Sequence, residues 1–199
     1  MRRIALALAS ALLAGCAAHH RYEPTPLRPS LPPSAPPAAP AKPATPVTSA
    51  GPLTKANLEK YMDAQESELR ALLRGKGTVA RRGETLAVTI STDRLFDRMA
   101  LSYSGREFVN GLARVVARYD HTILDLACYT DTTGGEAQNL AVSQKRAEAV
   151  AEVLWQNGVA ASRLTAKGYG ATNPKVSNGA DPRNRRIELK IVPKPGAGS

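Results

Sequence analysis

The stretch from Thr122 to Gly158, TILDLACYTDTTGGEAQNLAVSQKRAEAVAEVLWQNG, decides the fold. From Thr122 to Thr130, Leu124, Leu126 and Cys128 alternate with Asp125 and Ala127, which is the two-residue period of a strand with one buried face. Thr132-Thr133-Gly134-Gly135 carries turn chemistry. From about Glu136 to Gln156 the period lengthens, with Leu140, Ala147, Val150, Ala151 and Leu154 on one helical stripe, and Asn157-Gly158 stops the helix. A strand feeding a long amphipathic helix predicts an α/β arrangement.

The flanking sequence continues this alternation. Thr54 can cap a helix running to about Leu73, with Leu58, Met62, Leu69, Leu72 and Leu73 on one stripe; Gly75 and Gly77 end it. Val79 to Ile90 has strand character interrupted by a hairpin turn at Arg82-Gly83. Ser104 with Glu107 forms a capping box that opens a second helix, in which Phe108, Leu112, Val115, Val116 and Tyr119 fall at helical spacing. Arg163 to Lys167 is a short strand. In the last strand, Arg185 to Val192, Ile187, Leu189 and Ile191 alternate with Glu188 and Lys190. Arg185 then shares the side of Ile187 and emerges at the rim of the sheet, while Arg186 points to the opposite face. The order is βαβαββ preceded by a helix, which predicts an α/β two-layer sandwich with a mixed sheet.

Composition narrows the chemistry. Eleven of the 15 prolines lie between Pro24 and Pro52, a density that forms no packed core, so folding happens downstream within the 199 residues. Aromatic residues make up only 5%, which points to a core of Leu, Val, Ile and Ala. His121 is the single imidazole of the foldable part, and a strand would hold it roughly 23 Å from Cys128 at about 3.3 Å per residue. No metal-ligand spacing, phosphate loop or nucleophile-base pair is present, so neither an enzyme nor a cofactor or metal protein is expected. The formal charge of +10 falls to +8 without Arg2 and Arg3, and compartment must decide which anionic partner it serves.

Compartment is read from the first residues. Arg2 and Arg3 precede an eleven-residue apolar run, Ile4 to Ala14, too short for the roughly 20 residues of a membrane span, so residues 1–15 read as a signal peptide. The run ends in Leu13-Ala14-Gly15-Cys16, which resembles the lipobox of bacterial lipoproteins, implying lipidation of Cys16. Ala17, in place of Asp, as the next residue points to the outer membrane. Residues 16–53 then form the lipidated Cys and a Pro-rich disordered tether, reaching roughly 110 Å as polyproline and about 33 Å as a coil. A Pro-rich ligand for an aromatic groove is the alternative.

Asn139, Ser143 and Arg146 share one face of the central helix. Arg146 lies about 40° from Val150 at about 100° per residue, so its guanidinium is held at the core edge and needs an anionic or hydrogen-bonding partner. Asp131, across the turn, is the expected one. Such a pair can stabilise the fold or form half of a ligand site, and the residues leave both open.

The run Tyr129-Thr130-Asp131-Thr132-Thr133-Gly134, with Asn139, Val142-Ser143 and Arg146-Ala147, resembles the OmpA-like peptidoglycan-binding domain, including its fifteen-residue step from Asp to Arg. Gly158-Val159, Arg163, Gly168-Tyr169-Gly170, Pro174 and Asn184-Arg185-Arg186-Ile187-Glu188-Leu189 extend the resemblance over residues 78–192. It implies a domain of this family at 78–193, behind a helix at 54–77 and ahead of a flexible tail at 194–199. It also implies non-covalent binding of meso-diaminopimelate in the peptidoglycan stem peptide. The Asp role falls on Asp131, the helix Arg role on Arg146, a polar contact on Asn139, a second Arg contact on Arg185 and a turn contact on Thr133. Three features depart from the family pattern: Cys128 where Gly is frequent, read as a small buried thiol; Met99 at the usual second Asp of the Phe96 loop; and a short stretch from Asn178 to Asn184.

The expected protein is an outer-membrane lipoprotein with its folded domain in the periplasm, tethering membrane to wall, with peptidoglycan as partner and no nucleic acid. The alternative is a periplasmic protein-docking, regulatory or assembly lipoprotein of the same fold. Glu59, Glu66, Glu68 and Arg70 on the first helix would then meet an envelope protein, unless they are simply a solvated face.

Overall fold

Residues 53–197 are described by the computed structural model; the proposed signal peptide, Cys16 and nearly all of the Pro-rich segment lie outside them. The chain runs α1 (Lys55–Leu73), β1 (Gly77–Arg82), β2 (Thr85–Ser91), β3 (Phe96–Asp97), β4 (Ala100–Leu101), α2 (Tyr103–Arg118), β5 (Thr122–Tyr129), α3 (Glu136–Gln156), β6 (Leu164–Gly168) and β7 (Arg186–Pro193). Five strands form one sheet in the order β1-β2-β7-β5-β6. The β5–β6 pair is parallel and the rest are antiparallel, so the sheet is mixed as expected. The hairpin turn falls at Gly83-Glu84, one residue later than the sequence suggested, with Gly83 at φ +58°.

Period-two burial explains the layering. Val79, Leu86, Val88, Ile90, Leu124, Leu126, Cys128, Ile187, Leu189 and Ile191 are buried on one face, where they meet Val109, Leu112 and Val116 of α2 and Ala147, Val150 and Leu154 of α3 in a single core. At about 25 cal/mol per Å² of apolar area, this shared core is the main stabilising term.

Helix α1 packs its Leu58, Tyr61, Met62, Leu69 and Leu73 into the same core. Its acidic residues are also engaged: Glu66 pairs with Arg70 and Arg81, and Glu68 pairs with Arg118 and accepts the Tyr119 hydroxyl at 2.9 Å. Much of the charge offered for a partner helix is therefore used inside the fold.

Two local readings are corrected. Helix α2 is capped by Ser102, whose hydroxyl accepts the Gly105 N–H at 3.0 Å, rather than by Ser104; Glu107 instead accepts from Asn110. The helix starts earlier because its first turn abuts Leu95, where a Cβ on Gly105 would lie 2.0 Å from the Leu95 carbonyl oxygen. Helix α3 has the expected bounds, but Leu140 is 52% exposed and Asn139 and Ser143 are buried in its place. The cause is close backbone approach: a Cβ on Gly168 would sit 2.1 Å from the Gln144 nitrogen, and one on Gly170 3.2 Å from the Leu140 nitrogen. Only small or hydrogen-bonding side chains fit under that crossing.

Candidate functional site

Strand register assembles the site. Ser91, Arg186 and Tyr129 lie in one row across β2, β7 and β5. Two residues past Ser91 is Asp93, two past Tyr129 is Asp131, and one ahead of Arg186 is Arg185, so three charged side chains meet at one end of the sheet. Arg185 donates from Nε and Nη2 to the two oxygens of Asp93 at 2.8 and 2.6 Å, and from Nη1 to Asp131 Oδ2 at 2.7 Å. Bidentate charge-assisted pairs of this kind are among the stronger polar contacts and fix orientation.

Asp131 is 4% exposed. The Thr133 N–H reaches its Oδ1 at 3.0 Å, the Thr133 hydroxyl donates to the same oxygen, and Asn139 Nδ2 donates to its carbonyl at 3.3 Å. Burial alone raises the Asp131 pKa, but the Thr133 hydroxyl, Arg185 and the Thr133 N–H together outweigh it and hold the carboxyl below the ordinary range. Arg185 is shifted upward by Asp93 first and Asp131 second, and stays charged at any accessible pH.

The expected pairing of Asp131 with Arg146 is not formed. Arg146 donates from Nη2 and Nε to the Arg98 carbonyl at 2.6 and 3.2 Å, and its guanidinium lies 5.3 Å from the centroid of the Phe96 ring. The β3–β4 hairpin, packed against α3, offers that carbonyl and ring to the arginine. Among the described residues Arg146 has no carboxylate partner. Its charge lowers the Cys128 thiol pKa, against the larger upward push of burial.

The structure thus brings Asp131, Thr133, Asn139 and Arg185 into one hydrogen-bonded group and holds Arg146 outside it, on the Arg98 carbonyl. Sequence reasoning missed Asp93, because nothing local reveals that β2 lies next to β7. It also missed the supporting role of Asn184, which is 1% exposed. The Asn184 Oδ1 accepts the Lys175 and Val176 N–H groups, and its Nδ2 donates to the Asn178 and Gly179 carbonyls at 2.8 and 3.1 Å. Gly179 O in turn accepts the Thr132 N–H at 3.0 Å, so the loop braces the residue next to Asp131.

Arg186 does point to the opposite face from Ile187, where it stacks on Tyr129 at 3.9 Å and donates to the Asn173 carbonyl at 2.9 Å. Burial pushes the Cys128 thiol up to about 12, making it an inert neutral group as its size suggested. Arg163 is buried and donates to the Val116, Tyr119 and Thr122 carbonyls, where it caps the end of α2. Among the described residues no cluster of three His, Cys, Asp or Glu side chains could hold a metal.

The chain is thus a mixed-sheet α/β module with charged residues gathered at one strand end. Residues 95–188 match the OmpA family, and the chain carries an OmpA-like domain. The probable lipoprotein YiaD of Escherichia coli K12 is 37% identical over 139 residues, covering 67% of this chain and 64% of that protein. The peptidoglycan-binding protein ArfA of Mycobacterium tuberculosis is 32% identical over 98 residues, covering 48% of this chain and 30% of ArfA. The chain therefore spans less than two thirds of either relative. A putative MotB-like protein from Desulfovibrio vulgaris shares the fold, with a TM-score of 0.62 over 70% of this chain and 96% of that one at 21% identity.

Proposed function

We propose that the chain is an outer-membrane lipoprotein whose OmpA-like domain binds peptidoglycan non-covalently through the meso-diaminopimelate of the stem peptide, tying membrane to wall. One observation carries the ligand assignment. Asp93 and Asp131 enclose the single Arg185 guanidinium, leaving one negative charge unmatched, while Arg146 on α3 has no carboxylate partner among the described residues. A carbon bearing both an ammonium and a carboxylate complements those two unmatched charges. The ammonium takes Asp131, the carboxylate takes Arg146 with Arg185 as second arginine, and Asn139 and Thr133 hold the Asp131 segment in place.

The names of two relatives support the wider reading, since ArfA is a peptidoglycan-binding protein and YiaD a probable lipoprotein. Lipidation of Cys16 and the periplasmic location rest on the N-terminal sequence. The protein-docking alternative relied on α1, whose Glu66 and Glu68 are already paired within the fold. Co-sedimentation of the full chain with purified peptidoglycan tests the proposal. The wild type pellets with the wall, and Asp131→Asn and Arg146→Ala each remain in the supernatant. Wild-type protein left in the supernatant at excess wall contradicts it.

A further inference from the structure

A groove of about 460 Å³ opens beside the site, between the α1–β1 junction, the end of β2 and the loop ahead of β7. Six cations line it, Lys76, Arg94, Lys175, Arg183, Arg185 and Arg186, with no Asp or Glu among the lining residues. Arg183, Arg185 and Arg186 spend their charge on Asp181, on Asp93 with Asp131, and on Glu188. Lys76, Arg94 and Lys175 are exposed and form no ion pair among the described residues, so the groove stays net positive even with two carboxylates on Arg185. Cations gathered in a concave surface raise the local potential and attract anions more strongly than the same charges spread over a convex one.

Position selects the occupant. Arg185 lines this groove and also contacts Asp131, so the groove and the Asp131 site share that residue at the rim of the sheet.

We infer that the groove binds the main-chain carboxylates of the same stem peptide whose diaminopimelate head occupies the Asp131 site, so that Lys76, Arg94 and Lys175 select non-amidated wall. This rests on the proposed peptidoglycan function. The stem carries carboxylates at its glutamate and at its carboxyl end, and a charge-assisted hydrogen bond to each is worth about ten-fold in affinity. Amidation removes the charge while preserving shape.

The test is calorimetry of the full chain with a soluble diaminopimelate tripeptide and with the same peptide amidated at its main-chain carboxylates, the diaminopimelate head being left intact. Wild type prefers the free acid by about ten-fold or more at low salt, and the preference shrinks as salt rises. The triple variant Lys76→Gln, Arg94→Gln, Lys175→Gln binds both peptides equally, at the wild-type affinity for the amidated one. Equal binding of the two peptides by wild type, or an undiminished preference in the variant, overturns the groove assignment while leaving the head site intact. Failure of wild type to bind either peptide overturns the peptidoglycan reading itself. A third arm uses phosphatidylglycerol vesicles. Charge-dependent vesicle binding without any peptide preference would assign the groove to a lipid surface and overturn the inference.

Discussion

Replacing Asp131 by asparagine keeps the side chain's shape and removes its charge. The carboxylate accepts the Thr133 N–H and hydroxyl on Oδ1 and Arg185 Nη1 on Oδ2. An asparagine oxygen can still serve Thr133, but its amide then presents hydrogens to Arg185. Arg185 is not stranded by the change, because both oxygens of Asp93 remain on its Nε and Nη2. The stability cost is therefore that of one charge-assisted hydrogen bond, about 1.5–3 kcal/mol, well short of orphaning a buried charge. For a unit of this size that lowers the melting temperature by about 4–12 °C. Affinity for a ligand ammonium falls by about ten- to a hundred-fold on the same energy scale. Since the folded-state pKa of Asp131 lies below its unfolded value, the carboxylate stabilises the fold at neutral pH. That contribution fades as pH drops below about 4 and through the folded-state pKa. Thermal melts between pH 7 and pH 2, followed by circular dichroism, should then show less acid sensitivity in Asp131→Asn than in wild type. Calorimetry with a diaminopimelate peptide reads the affinity. A stable variant that binds as tightly as wild type refutes the role of the charge, and a variant that unfolds at neutral pH shows Asp131 to be a fold-stabilising residue first.

Arg185→Ala and Arg186→Ala should separate in kind: the first lowers peptide affinity about ten-fold or more, whereas the second, losing the Tyr129 stack and the Asn173 carbonyl, lowers stability in urea by about 2–3 kcal/mol. Equal affinity losses would contradict this division. Cys128, with its thiol pushed up to about 12 and buried, should resist alkylation at pH 8 until guanidinium is added; rapid native-state labelling would show the strand end to be open. Cys16→Ser should move the protein from the membrane to the soluble or unprocessed fraction, and an unchanged membrane fraction would remove Cys16 as the anchor.

Elements with long, regular periodicity were legible from the residues alone. The bounds of α3, Glu136–Gln156, and the inward set Leu124, Leu126 and Cys128 follow from local spacing, and both appear as expected. Partners chosen by sequence proximity were not. Asp131 and Arg146 are joined by a short turn, yet Asp131 takes Arg185, 54 residues away, because the β5–β7 register delivers it. Arg146 is drawn off by a hairpin of two-residue strands that has no periodicity to read. Helical spacing places Leu140 on the inward stripe, but the approach of Gly168 and Gly170 to the helix backbone, a tertiary contact invisible to spacing, decides against it. The cap of α2 lies at Ser102 because close approach to Leu95, a tertiary contact, rather than the Ser-x-x-Glu pattern sets where that helix begins.

The most direct measurement compares two soluble stem tripeptides on the full chain by calorimetry, one ending in meso-diaminopimelate and one in lysine. Lysine keeps the ammonium and lacks the carboxylate on the same carbon, so it can satisfy Asp131 but not Arg146. Recognition of the zwitterionic carbon predicts binding of the diaminopimelate peptide and a loss of about ten-fold or more with lysine. Equal affinity for the two peptides, or no affinity for the first, would contradict it.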